Sequence, residues 1–153
     1  MARARGAPTF RRVLHPSDFS PASRPAFRIA LNLARAARAD LLVAHVLPPL
    51  PLVPDAYVTP TTYQELMRGQ RASAQGRLDR LVRQAKAAGV RAAGLLVEAG
   101  PPAERITRLA RARRADLIVM GTHGRTGLAR ALLGSVAQRV VATAGCPVLT
   151  VRA

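Results

Sequence analysis

A glycine-punctuated loop between two apolar segments carries the residues of this chain that are best suited to chemistry. The apolar run 117–120 is followed by Gly121-Thr-His-Gly124, then nine residues, and then Gly134-Ser135. Glycine leaves no Cβ between the backbone and a ligand, so successive N–H groups can converge on one anion. Apolar spacing after Gly134 predicts a helix, whose first N–H groups and dipole attract negative charge, with Ser135 as a cap or hydroxyl donor. The pattern therefore indicates a phosphate-binding loop.

The same glycines could do no more than turn the chain, with Gly134-Ser135 as an ordinary helix start. Neither of two common nucleotide fingerprints is present. G-x-x-x-x-G-K-[ST] does not occur, and Gly121, Gly124 and Gly127 lack the G-x-G-x-x-G spacing. The loop residues by themselves leave both interpretations open.

The composition describes one aliphatic domain with a large excess of arginine. The 153 residues are 49% hydrophobic and 3% aromatic, so Leu, Val, Ile and Ala must fill the core, and an aromatic platform for single-stranded nucleic acid is not expected. The net charge of +16 favours weak, nonspecific polyanion binding. Lys86 is the only lysine, however, and a bias of the whole proteome toward arginine would produce the same charge.

The cysteine content and the amino terminus bear on the compartment. Cys146 is the only cysteine and cannot form an intramolecular disulfide, which is typical of a reducing compartment and predicts a cytoplasmic protein. Residues 1–10 are basic and lack the apolar core of a secretory signal, so we expect a disordered basic arm there and one domain over residues 11–153. No apolar run is long enough to predict a membrane span.

Strand and helix patterns alternate along the chain. Apolar runs predict five strands, at residues 12–15, 41–47, 90–97, 117–120 and 147–151. Amphipathic patterns predict four helices, at residues 21–39, 62–88, 101–114 and from 135 onward. On the second helix, Leu66, Leu78, Leu81 and Val82 are expected to face inward. The proline-rich stretch from Pro48 to Pro60 predicts an exposed loop.

This alternation predicts an α/β fold with a single five-stranded parallel sheet and helices on both faces. The expected strand order is 3-2-1-4-5, which makes the first and fourth strands neighbours whose carboxyl ends flank a crevice. Those ends are Asp18 and Met120-Gly121, far apart in the sequence. The topology places Asp18 on the other side of the crevice from the glycine loop, which favours a ligand site over a plain turn.

Several motifs together resemble the universal stress protein family over residues 11–152. They are V-L-H-P-S-D-F-S, A-H-V-L, M-G-T-H-G-R, L-L-G-S-V and C-P-V-L-T-V. The spacing G-2x-G-9x-G-S is similar to the pattern of the family's ATP-binding branch. The resemblance implies a Rossmann-like fold of the adenine nucleotide alpha hydrolase type and a universal stress protein domain over 11–153. It also implies ATP, AMP or ADP as ligand and a homodimer formed through the C-terminal strand. A divalent ion, Mg²⁺ or Mn²⁺, would be held through the phosphates, because such ions typically keep waters and borrow oxygens from the nucleotide.

The resemblance also implies a role for each candidate residue. Asp18, preceded by Pro16 and Ser17, corresponds to the acidic residue that contacts the nucleoside. Val46 corresponds to the residue whose backbone meets the adenine, and Met120-Gly121 to the strand exit beside the ribose. The implied phosphate-binding residues are His123, Gly124, Arg125, Gly134, Ser135 and Val136.

Catalysis and metal binding have weaker support in the sequence. His15, His45 and His123 could form a three-histidine metal site, but two of them fall within apolar strands and no carboxylate-rich surroundings are evident. Phosphoryl transfer needs a positioned base and a metal-holding carboxylate, and Asp18 is the only acidic residue that the prediction places at the crevice. The sequence therefore favours a nucleotide-dependent stress-response or signalling protein. A slow ATPase and a polyanion-binding protein without nucleotide dependence are the alternatives.

Overall fold

The computed structural model describes residues 10–50, 59–122 and 133–152, which build a parallel sheet covered by helices on both faces. The strands are β1 (Arg12–Pro16), β2 (Asp40–Val46), β3 (Ala92–Val97), β4 (Leu117–Gly121) and β5 (Val148–Val151). The helices are α1 (Arg24–Ala37), α2 (Pro60–Ala87), α3 (Pro102–Ala112) and α4 (Ser135–Thr143), and a 3-10 turn (Pro21–Ser23) precedes α1. The strand order is β3-β2-β1-β4-β5 with every pair parallel, which confirms the predicted fold class and order.

Two predicted segments lie partly outside the described residues. The basic arm at 1–10 has residues 1–9 outside the described ranges, and the loop from Pro48 to Pro60 has residues 51–58 outside them. Of the helices in the described ranges, none combines the length and the hydropathy that crossing a bilayer requires.

The core consists of two aliphatic layers, one on each face of the sheet, because successive strand residues point to opposite faces. On one face, Val13 and Val43 pack with α1 and α2, and on the other face Leu14 and Ile118 pack with α3 and α4. The central strands are therefore apolar on both faces, which is the pattern that a parallel sheet requires. Burying each large side chain contributes about 1.5–3 kcal/mol.

Prolines mark the starts of three helices. Pro25, Pro60 and Pro102 occupy the first or second helical position, where the missing N–H has no intrahelical partner to lose. At α2 the hydroxyl oxygen of Thr59 also caps the helix by accepting from the N–H of Thr62 at 3.2 Å. These local signals explain why the predicted helix starts agree with the structure to within a few residues.

The first half of α2 departs from the predicted inward face. Leu78 is fully buried, and Leu81 and Val82 are partly buried, but Leu66 is 50% exposed. Helix α2 has 28 residues, and its buried residues, Ala74, Leu78 and Ala85, all lie in its second half. The prediction for Leu66 is wrong because Leu66 precedes Leu78 by 12 residues, about 120° around the helix, and lies in the half of α2 that has no buried residue.

Glycine 94 sets the distance between β3 and α2. A Cβ added at Gly94 would lie 2.9 Å from Cγ of Leu78 and 3.3 Å from Cγ2 of Val82. We expect Gly94→Ala to lower the free energy of unfolding in urea by about 1–2 kcal/mol, because the helix must move away from the strand. Gly76→Ala on α2 is the control. A Cβ there meets no atom within 4 Å, so it should raise stability by about 0.5–1 kcal/mol. If Gly94→Ala and Gly76→Ala change the free energy of unfolding equally, β3 and α2 do not approach closely at Gly94.

Candidate functional site

The carboxyl ends of β1, β2 and β4 lie side by side at one edge of the sheet. Pro16 pairs with Ala44 in the register of β1 and β2, and the N–H of Ser17 donates to the carbonyl of Ala44 at 2.8 Å. On the other side Leu14 pairs with Ile118, so β1 and β4 end together. Asp18 therefore lies close to the end of β4, as the strand order predicts.

Asp18 is held in a tight turn. Its Oδ1 accepts hydrogen bonds from the backbone N–H of Ser20 at 2.9 Å and from the hydroxyl of Ser20 at 2.7 Å. The hydroxyl oxygen of buried Ser17 accepts from the N–H of Phe19 at 3.1 Å and lies 3.3 Å from the hydroxyl of Ser23. These bonds fix the carboxylate of Asp18 before any ligand arrives.

The turn includes a strained residue that neighbouring side chains hold in place. Phe19 has a φ of 62°, a conformation that non-glycine residues seldom adopt. Its ring stacks on His45 with a centroid distance of 4.3 Å, and the guanidinium of Arg77 lies 4.9 Å from its centroid. His45 also donates from Nδ1 to the carbonyl of Ser17 at 2.8 Å. His45 is therefore a buried structural residue that secures the turn carrying Asp18.

His15 links β1 to β4 beneath the site. Its ring is fully buried, and Nδ1 donates to the carbonyl of Val119 at 2.9 Å. Nε2 has no hydrogen-bond partner among the described residues. Burial lowers the pKa of His15 from 6.5 to about 4, although the Val119 hydrogen bond and the charge of Asp18 act in the opposite direction. His15 is therefore neutral at physiological pH.

The described ranges contain no group of three or more His, Cys, Asp or Glu side chains that could hold a metal ion. His15 and His45 each use Nδ1 in a hydrogen bond to a backbone carbonyl. The third histidine of the proposed set, His123, lies outside the described residues.

The start of α4 is fastened to the end of β4. The N–H of Gly134 donates to the carbonyl of Thr122 at 2.7 Å, and the N–H of Thr122 donates to the carbonyl of Val151 at 2.9 Å. Gly134 is the N-cap residue of α4 and, as a glycine, has no side chain of its own to cap the helix. The first N–H groups of a helix have no intrahelical partner, so those following Gly134 are available to an anion. The arrangement provides one side of a phosphate-binding site.

The structure thus brings most of the predicted site residues to the same edge. Pro16, Ser17, Asp18, Val46, Met120 and Gly121 follow or end adjacent strands, and the bond between Thr122 and Gly134 places Gly134, Ser135 and Val136 next to them. His123, Gly124 and Arg125 lie outside the described residues, so their part in the site stays a prediction.

Sequence reasoning missed two residues that build this edge. Ser20 holds Asp18, and Thr122 connects α4 to β4 and β5. An aspartate that accepts from the residue two positions later is a common turn, so Asp18-Phe-Ser20 could have been recognised. The bonds by which Thr122 connects these elements are made by its backbone, so its residue type gives no signal for them.

Comparison with known proteins identifies what this chain is similar to. The model of the universal stress protein family matches residues 9–152. A universal stress protein of Methanocaldococcus jannaschii is 35% identical over 147 residues, which cover 96% of this chain and 85% of that protein.

Two solved structures share the fold over nearly the whole chain. The universal stress protein UspA from Lactobacillus plantarum has a TM-score of 0.80 and 25% identity, with 95% of this chain and 100% of that chain covered. A universal stress protein in complex with cAMP has a TM-score of 0.69 and 27% identity, with 95% and 98% covered. One structural relative has thus been solved with an adenine nucleotide.

Proposed function

The chain is a member of the universal stress protein family, and we propose that it binds an adenine nucleotide, ATP in particular, at the carboxyl edge of its sheet. The hydrogen bond between Gly134 and Thr122 is the observation that carries this proposal. It holds the start of α4, whose N-cap residue is a glycine, beside β4 and next to the turn that presents Asp18. The complex of a related protein with cAMP supports a ligand of this class.

At the nucleoside end, Asp18 accepts hydrogen bonds from the ribose hydroxyls. Val46 lies two residues beyond Ala44, where the register between β1 and β2 ends. Because backbone groups alternate in direction along a strand, Val46 turns its carbonyl to the same side as Ala44, past the end of β1. That backbone can meet the adenine ring, and Met120-Gly121 then lies beside the ribose.

At the phosphate end, the N–H groups after Gly134 and the exposed hydroxyl of Ser135 bind the phosphates. His123, Gly124 and Arg125 complete this end of the proposed site on the strength of their sequence pattern. A divalent ion, Mg²⁺ or Mn²⁺, is held by phosphate oxygens and water, because the described residues contain no ligand cluster of their own.

In the same proposal, the protein is a cytoplasmic homodimer that forms through β5 and relays nucleotide occupancy in a stress response. β5 is an edge strand and its Leu149 is 39% exposed, so pairing with a second copy would cover it. Thr122 connects the site to this strand through Val151. The half-buried thiol of Cys146, whose pKa burial raises, is in keeping with a reducing compartment.

Calorimetric titration with ATP, ADP, AMP and cAMP tests the proposal, with Gly134→Val as the critical variant. Gly134 has φ −58° and ψ 151°, which valine tolerates, so the variant should fold. Its side chain would occupy the approach to the helix start, and we expect the Kd for ATP to rise about tenfold or more. In Gly145→Val, the control, the added Cβ meets no atom within 4 Å.

Wild-type protein that binds none of the four nucleotides at about 1 mM would overturn the proposal. So would a Gly134→Val protein with wild-type affinity. A loss of affinity in Gly145→Val as large as that in Gly134→Val would assign the effect to general disturbance rather than to the site.

A further inference from the structure

The sheet edge opposite the nucleotide site concentrates arginines. Strands begin there and helices α1, α2 and α3 end there. We call this surface the basic edge, and it consists of Arg11, Arg12, Arg35, Arg38, Arg91 and Arg113. Two carboxylates, those of Asp40 and Asp116, begin or precede strands at the same edge.

Both carboxylates of this edge are already engaged. Asp40 accepts from Nε of Arg91 at 2.7 Å and forms an ion pair with Nη2 of Arg12 at 3.7 Å. Asp116 accepts from the backbone N–H groups of Arg11 at 2.8 Å and Arg12 at 3.2 Å. These acidic groups therefore hold the edge together and leave most of its positive charge uncompensated.

Four of the six guanidinium groups form no ion pair within the described ranges. They belong to Arg11, Arg35, Arg38 and Arg113, all of which are exposed. Charges of one sign on one surface raise the local potential and attract anions.

A cleft lies among the arginines of the basic edge. It has a volume of about 120 Å³, lies between the ends of α1 and α2, and is lined by Arg35, Arg38 and Arg91. Buried Ala34, Ala39 and Val90 form its apolar walls. The volume is about that of four waters, enough for one phosphate group. The carbonyl ends of α1 and α2 contribute about half a negative charge each, which the two guanidinium charges of Arg35 and Arg38 exceed even with Arg91 paired to Asp40.

We propose that the basic edge binds the phosphate backbone of double-stranded nucleic acid without reading its bases. The exposed large apolar side chains of the described residues lie on α1, the first half of α2, α4 and β5, and none belongs to the basic edge. The aromatic residue beside it, Phe10, packs against the core. The edge therefore has neither an apolar anchor for a bilayer nor a ring for stacking on single strands, so phosphate contacts are what it offers.

Arginine near a helix carboxyl end also stabilises the helix through the dipole, and Arg35 and Arg38 are so placed on α1. That role needs no ligand and affects only stability. Arg113 is likewise the C-cap residue of α3, whereas Arg91 directly precedes β3 and Arg11 directly precedes β1. Binding and stability must therefore be measured on the same variants.

The test is the salt dependence of binding to a fluorescein-labelled duplex DNA of mixed sequence, followed by anisotropy. We expect the logarithm of the association constant to fall with the logarithm of salt concentration, with a slope between about −3 and −5 for wild type. The variant Arg35→Gln/Arg38→Gln/Arg113→Gln should lower affinity about tenfold or more and make the slope shallower by about 2–3. Its ATP affinity should be unchanged, since the nucleotide site lies at the other edge.

The matched control is Arg28→Gln/Arg68→Gln/Arg80→Gln, which removes the same charge from exposed positions away from the basic edge. It should retain wild-type affinity within about threefold and a wild-type slope. Equal losses in the two triple variants would overturn the proposal, because net charge alone would then explain binding. An edge variant with wild-type affinity and a lower melting temperature would reduce these arginines to helix stabilisers. Binding to phosphatidylserine vesicles with none to the duplex would overturn it as well.

Discussion

Replacing Asp18 with asparagine is expected to weaken ATP binding about 10- to 100-fold. A hydrogen bond to a charged group contributes about 1.5–3 kcal/mol, which corresponds to that range. Asparagine retains an oxygen that can accept from the N–H and hydroxyl of Ser20, so the turn should persist. The ribose hydroxyls, however, lose a charged acceptor. Titration calorimetry gives the Kd, and the melting temperature reports whether the fold is intact.

Ser20→Ala is the matched control for this prediction. It removes one of the two hydrogen bonds that Ser20 donates to Asp18 and leaves the carboxylate and the bond from the N–H of residue 20. We expect a change in Kd of less than about threefold. A wild-type Kd in Asp18→Asn, or an equal loss in both variants, would show that Asp18 shapes the turn without contacting the nucleotide.

Acidification is expected to destabilise the protein through His15. The pKa of His15 is about 4 in the folded protein and 6.5 in the unfolded chain, so between these values only the unfolded chain takes up the proton. The free energy of unfolding therefore falls as the pH drops from 6.5 to 4, by about 3 kcal/mol for this residue. Urea unfolding at several pH values between 7.5 and 4 measures the loss.

The variant His15→Asn isolates this contribution. The amide nitrogen of asparagine can replace Nδ1 as donor to the carbonyl of Val119, but asparagine does not titrate. Its smaller volume lowers stability at every pH, whereas the difference from wild type should shrink by about 3 kcal/mol toward pH 4. If the free energy of unfolding falls equally with pH in the two proteins, or if NMR shows that His15 titrates near pH 6.5, then His15 is not a buried neutral residue.

The positions of the strands and their order in the sheet could be predicted from residue patterns in the sequence. A run such as Leu117–Met120 suits a strand buried on both faces, and right-handed crossovers leave few arrangements for five such strands. The extent of burial on α2 was not predictable in this way. The spacing of Leu78, Leu81 and Ala85 shows which residues share a helix face, but only the assembled sheet determines how far along α2 that face is covered.

The candidate site was predictable as a set of strand ends and not as a set of contacts. Asp18 and Gly121 come to the same edge because of the strand order alone. The stack of Phe19 on His45, by contrast, depends on a positive φ and on side-chain rotamers, which have no sequence period. The roles of His123, Gly124 and Arg125 stay predictions, because these residues lie outside the described ranges.

The central position of β1 has a consequence for how the protein is made. Val13 in β1 pairs with Leu41 in β2 and with Leu117 in β4. During synthesis β1, β2 and β3 leave the ribosome before β4 does. The side of β1 that pairs with β4 therefore has no partner strand until β4 has been synthesised. An unpaired apolar strand invites pairing with other chains. The nascent protein therefore passes through a stage in which its central strand needs protection, and the edge that carries Asp18 is completed only when β4 arrives.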